Sequence, residues 1–120
     1  MRPDCADAGY LWDMLKYARG VVSALRGVSY DSYLSDENLR LAIERRIEII
    51  GEAARRISPE FQQAHPEFPW HSMIGQRNVL AHEYGEIEDE RIWRVAVENI
   101  PRLIELLEPI VPSPEGESDS

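Results

Sequence analysis

Leu39-Arg40-Leu41-Ala42-Ile43-Glu44-Arg45-Arg46-Ile47-Glu48-Ile49-Ile50-Gly51-Glu52-Ala53-Ala54-Arg55-Arg56-Ile57 is the stretch that decides the fold. Leu39, Ile43, Ile47, Ile50, Ala54 and Ile57 recur at three- and four-residue steps, so on a helix of about 3.6 residues per turn they form one apolar stripe. Ser35 or Asp36 can cap its first turn, because a short polar side chain there accepts from the free N–H groups of a helix start. Ser58-Pro59 ends it, with Ser58 as N-cap and Pro59 as the first position of a short further helix. Gly51 sits within the helix, where glycine costs about 1 kcal/mol relative to alanine. The spacing predicts that a neighbouring helix approaches closely there.

Outward from this stretch the pattern stays helical. Leu11, Met14, Leu15, Ala18, Val21, Val22 and Leu25 predict a first helix over about residues 5–26. Gly27 stops it, and Ser29, Asp31 and Ser32 are expected in a polar connection. Downstream, His65-Pro66 and Phe68-Pro69 predict a rigid loop, because the residue before a proline is pushed out of the α region. A helix is expected from about Trp70 to Tyr84, with Gly85 as its C′ residue. Glu88 or Asp89 opens a last helix carrying Ile92, Val95, Ala96, Ile100, Leu103, Leu107 and Ile110, and Pro101 should kink it. No strand signal and no repeat is present. The expected fold is therefore all-α, an antiparallel bundle of about four to five helices. It forms one domain over 1–111, followed by a disordered acidic tail over 112–120.

Composition narrows the function. The chain has 120 residues and a net charge of −9, which argues against a protein that holds nucleic acid by bulk attraction. Its basic set is twelve arginines and one lysine, Lys16; arginine is the better bidentate ligand for phosphate, although a compositional bias explains the ratio equally well. A single cysteine, Cys5, and scattered His65, His71 and His82 give no metal-ligand spacing, so no metal and no cofactor are expected. The lone cysteine, the lack of a signal-peptide layout and the lack of a membrane-length apolar run predict a cytoplasmic protein.

Chemistry concentrates in Arg77-Asn78-Val79-Leu80-Ala81-His82-Glu83-Tyr84-Gly85. Four polar heads interleave with apolar residues, and burying such heads without partners costs roughly 1–3 kcal/mol each. Arg77 and His82 lie about 140° apart on an ideal helix, so a shared cleft needs long side chains or a loosened last turn. His82 near a helix C-terminus is pushed toward its charged form, and a nearby Arg77 pushes it back. A histidine so balanced suits proton transfer, and an arginine fork suits charge building on phosphate oxygens. One histidine is short of two-proton chemistry; a symmetric dimer would supply the set twice. From spacing alone, a buried histidine–carboxylate pair beside a surface arginine remains the plainer reading.

The run Arg77-Asn78-x-x-x-His82-x-Tyr84 resembles the Arg-x4-His-x-Tyr signature of the HepT toxins, within the HEPN ribonuclease superfamily. Ala42 to Arg46, Ile49 to Ala53, Phe68-Pro69-Trp70, Met73-Ile74-Gly75 and Ile92-Trp93 through Ile100 to Leu103 resemble the segments around it, covering about residues 8–110. The resemblance implies an all-α homodimer that cleaves RNA without metal, with Arg and His of both protomers in an interface cleft. Arg77 would polarise the scissile phosphate, His82 would move protons, and Asn78 would position one or the other. It also implies a type VII toxin–antitoxin system, whose partner antitoxin, a minimal nucleotidyltransferase, attaches AMP to the tyrosine matching Tyr84. Added bulk and negative charge at that position would compete with RNA phosphate. Arg45, Arg46, Arg55, Arg56, Arg91 and Arg94 are candidates to line a positive cleft. Two alternatives stand beside this reading: a non-catalytic helical dimer that binds a nucleotidyltransferase or nucleotide, and a purely structural dimer.

Overall fold

The computed structural model describes residues 5–75 and 86–111, and among them every regular element is helical. In chain order these are α1 (Cys5–Leu25), α2 (Tyr30–Ser35), α3 (Glu37–Arg56), α4 (Pro59–Ala64), α5 (described over 70–75), α6 (Glu86–Arg94), a π-helical turn (Val95–Asn99) and α7 (Ile100–Leu107). The core sits where α1 lies along α3 and α7. From α1 it takes Leu11, Met14, Leu15, Ala18 and Val21; from α3, Ile43, Ile47, Ile50 and Ala54; from the last segment, Ile92, Ala96, Ile100, Leu103 and Leu107. The stripes expected from the sequence are thus the buried ones, with Val22, Leu39, Val95 and Ile110 packed at the margin.

Local chemistry sets the ends of the elements. Gly27 follows α1 with φ of 75°, a left-handed conformation that costs glycine little. Gly51 is buried on α3. Gly20 allows another close approach: a Cβ there would stand 3.0 Å from Nε of Arg46, so the bare backbone lets that arginine lie across α1. Of the two expected caps of α3, Asp36 is the one used, its carboxylate accepting from the Leu39 N–H at 3.0 Å. Ser58 caps α4 by accepting from the Phe61 N–H at 3.2 Å, with Pro59 behind it as expected.

Two expectations need correction. Ser29, Asp31 and Ser32 do not form a plain connection; they start α2. The Ser29 hydroxyl accepts from the Ser32 N–H at 3.2 Å, so residues that read as loop punctuation act as cap and first turn. A helix of six residues is marginal by itself, and α2 is held by Tyr33, which is 0% exposed. The last helix, in turn, is already formed at Glu86 and is not continuously α-helical. Ahead of Pro101 it widens into the π turn, where the Ile100 N–H donates to the Val95 carbonyl five residues back. Proline lacks an N–H, so the ladder must be rearranged near it, and here one wider turn does so.

Candidate functional site

Arg77, Asn78, His82 and Tyr84 lie outside the described residues, as do the second half of the helix expected over 70–84, Gly85 and the tail from 112. The structure does define the two elements that flank the motif, each built around aromatic rings.

The upstream anchor comprises α4, the proline-flanked loop and α5. The Phe61 ring, 0% exposed, stacks on His65 with centroids 4.3 Å apart. Trp70 meets Phe61 edge-on at 6.3 Å and Phe68 at 5.0 Å. The Trp70 indole N–H donates to the His65 carbonyl at 3.0 Å, so its polar atom is satisfied while its rings are packed. Nδ1 of His65 sits 2.9 Å from a carboxylate oxygen of Glu67, and this hydrogen bond holds the Glu67 carboxyl below its ordinary pKa. Beneath the cluster, buried Asp7 reaches over from α1. Its carboxylate accepts from the Ser58 N–H at 2.9 Å and from the Ser58 hydroxyl at 2.6 Å, so the N-cap of α4 is itself capped. The sequence reading passed over Asp7; its position among the apolar residues of the first helix was the available signal.

The downstream anchor comprises α2, the start of α3 and α6. Trp93 of α6 lies 5.6 Å from the Tyr30 ring and 5.2 Å from the Tyr33 ring. Arg40 donates from its guanidinium to the Leu34 carbonyl at the end of α2, and its Nε stands 4.0 Å from Oδ1 of Asp89. Glu44 stands one turn further along α3. Burial first, and then Asp89, raise its pKa above the usual carboxyl range, against the pull of Arg40. The Tyr33 hydroxyl is buried with no hydrogen-bond partner among the described residues. Burial, then Glu44 and Asp89, push that phenol above the ordinary tyrosine range. Sequence reasoning assigned no role to Arg40, Glu44 or Tyr33. The four-residue step from Arg40 to Glu44 places both on one helix face, but Asp89 is too distant in sequence for the trio to show itself.

The arginines proposed for a positive cleft divide. Arg45 pairs with Glu48 at 3.3 Å, Arg55 and Arg56 with Glu52 at 2.9 and 3.1 Å, and Arg94 with Glu90 at 3.2 Å. All are ordinary same-helix pairs. Arg45 and Arg56 line a groove between α1 and α3 that also holds Asp13, Glu48 and Glu52, so that groove is not basic. Glu90, Arg91 and Arg94 rim a different groove on α6, with Val95 and Asn99 of the π turn. Arg46 and Arg91 make no ion pair with another described residue. Among the described residues no group of His, Cys, Asp or Glu is arranged to hold a metal, and no helix is long and apolar enough to cross a membrane.

Comparison with known proteins places this architecture. The chain matches the family described as ribonuclease HepT-like over residues 14–110, a span that includes both anchors and the motif between them. It is 34% identical over 94 residues to a candidate RNase of Methanocaldococcus jannaschii, covering 78% of this chain and 86% of that one. It is 33% identical over 94 residues to a protein of Thermococcus cleftensis named probable ribonuclease HepT, covering 78% and 86%. A candidate RNase of Caldanaerobacter subterraneus subsp. tengcongensis is likewise 33% identical over 94 residues, covering 78% and 84%. No solved structure matches the chain. A motif carried between two packed helical anchors, matched along most of its length by these relatives, makes this chain a member of the HepT-like ribonuclease family.

Proposed function

We propose that this chain is an RNA endonuclease that works without metal, as a homodimer, and as the toxin of a toxin–antitoxin pair in the cytoplasm. The observation that supports this most is the family match over residues 14–110, a span within which Arg77, Asn78, His82 and Tyr84 fall. Arg77 binds the scissile phosphate and stabilises charge on its oxygens; His82 takes the proton from the attacking 2′-hydroxyl or gives one to the leaving oxygen. Asn78 orients the phosphate or the imidazole. A second protomer supplies the second copy of this set, so that one histidine serves as base and the other as acid. Since Arg45, Arg55, Arg56 and Arg94 are paired with carboxylates on their own helices, the positive charge for RNA falls to Arg77, Arg46 and Arg91. A cognate minimal nucleotidyltransferase silences the enzyme by attaching AMP to Tyr84.

Purified protein in chelator, incubated with RNA beside Arg77→Ala and His82→Ala, provides the test. The expected outcome is cleavage by the wild type and loss of about 100-fold or more in either variant, the usual scale for removing a general acid–base or a charge-stabilising group. Equal activity in all three would overturn the assignment. Incubation with the partner enzyme and ATP should add one AMP to the wild type and none to Tyr84→Phe.

A further inference from the structure

The last turn of α6 carries Arg91 and Arg94, three residues apart and both exposed. With Glu90, Val95 and Asn99 they edge a groove of about 350 Å3, within the size range of small-ligand sites. Two guanidinium groups stand there against one carboxylate, so the groove is locally positive in a chain whose net charge is −9. Arg91 makes no ion pair with another described residue, whereas Arg94 meets Glu90 at 3.2 Å. That pair is weak: its side chains are 64% and 61% exposed, and water screens a same-helix pair so placed. Glu90 pairs with Arg94 alone, while a phosphate lodged in the groove would be met by both guanidinium forks.

The π turn supplies the far wall. Val95 and Asn99 stand at its two ends and also line a neighbouring slot, walled by Ile47, Pro69 and Met73, of about 50 Å3. Such a slot has room for a water or two and none for a nucleobase. The groove therefore suits the charged backbone of a strand, with no base pocket beside it. Asn99 adds a neutral donor and acceptor next to the arginines.

We propose that Arg91, Arg94 and Asn99 form a sequence-independent subsite for an RNA phosphodiester, with Glu90 as its built-in competitor. In the free protein Glu90 occupies Arg94; a phosphate drawn in by Arg91 then takes Arg94 from it. Arg91 and Arg94 bind here and take no part in breaking a bond. The identity of the strand as RNA rests on the ribonuclease reading. The arrangement lets an acidic chain hold RNA through one local groove rather than through its overall charge.

The test measures binding of a 2′-O-methyl RNA strand, whose blocked 2′-oxygen cannot attack, by fluorescence anisotropy over a series of salt concentrations. Arg91→Gln should weaken binding on the order of threefold to tenfold and lower the slope of log affinity against log salt by about 0.7, the value for one single-strand phosphate contact. The loss should be alike for strands of different sequence. Arg26→Gln removes an exposed charge from a separate groove at the end of α1 and should change little. Glu90→Gln should tighten binding, and that gain should vanish in the Arg94→Gln background. All four positions are exposed, so each variant should keep the wild-type melting temperature. On cleavable RNA, Arg91→Gln should raise KM by a similar factor and leave kcat nearly unchanged.

Equal losses in Arg26→Gln and Arg91→Gln would mean bulk attraction and overturn the proposal. A Glu90→Gln gain that survives in the Arg94→Gln background would overturn it as well, as would a wild type that binds no RNA. Should the wild type bind the strand yet cleave no RNA, the ribonuclease reading fails while the binding series still decides the subsite.

Discussion

Before the motif, the chain is held by four packed rings and an indole hydrogen bond; after it, by a guanidinium beside a carboxylate and a tryptophan against two tyrosines. Upstream, the polar atoms within the cluster have partners, the Trp70 N–H and both oxygens of Asp7 among them. Downstream, a buried hydroxyl has none among the described residues, and burial and the charge of Asp89 raise the Glu44 pKa. Ring packing of the first kind responds little to salt, whereas a charge cluster responds to salt and pH. The flank before the motif is thus held chiefly by packing and the flank after it by packing and charge.

The sharpest way to break this contrast is Phe61→Ala. Removing a fully buried phenyl ring at the centre of the upstream cluster should cost about 3–5 kcal/mol, read as a lowered urea midpoint with an unchanged slope. A loss under about 1 kcal/mol would mean that the rings are not what holds this end. Asp7→Ala comes next. It leaves the Ser58 N–H and hydroxyl without their acceptor and should cost about 1.5–3 kcal/mol, the range for hydrogen bonds to a charged group. Thermal unfolding would show it, and recovery in Asp7→Asn should be partial because the amide retains one acceptor.

Acidity sharpens the comparison, since the two ends carry shifts of opposite sign. The Glu67 carboxyl is held low by His65, so its contribution is present above the ordinary carboxyl pKa and is lost as pH falls through its lowered native value. The Glu44 carboxyl is held high by burial and Asp89, so its contribution is present below the ordinary pKa and is lost as pH rises through its raised native value. Glu44→Gln should therefore raise the denaturation midpoint at neutral pH, with the gain fading toward about pH 4. A gain that is constant across pH would remove the carboxylate repulsion from the account. The smallest effect belongs to Tyr33→Phe. Its hydroxyl has no partner to lose, so the change should be neutral or stabilising by less than about 1 kcal/mol, as seen by calorimetry. A clear loss would reveal a bridging water or a shifted carboxylate.

What the sequence made legible follows from distance along the chain. The stripes of α1, α3 and α7, the caps at Asp36 and Ser58 and the stop at Gly27 all depend on neighbours within a turn or two, and the structure has them where the pattern put them. The short α2 was missed because Ser29 and Asp31 fit a loop and a helix start equally well, and only burial of Tyr33 decides between them. Asp89 was read as a possible cap, since its partner Arg40 lies far off in sequence. The motif is the reverse case. Its residue types announce chemistry locally, while the helices on either side of it are held by Phe61, Trp70, Arg40 and Trp93, none of which looks catalytic.

The π turn at Val95–Asn99 acts as a phase shifter between two helical gears. One residue beyond the α-helical count turns the downstream face by about 100° relative to the upstream one. With that offset Trp93 meets α2 while Ile100, Leu103 and Leu107 meet the core. Val97, 40% exposed within the turn, is a residue whose deletion leaves the core composition intact. A chain shortened there would keep its stripe, yet turn α6 by that same offset against the core.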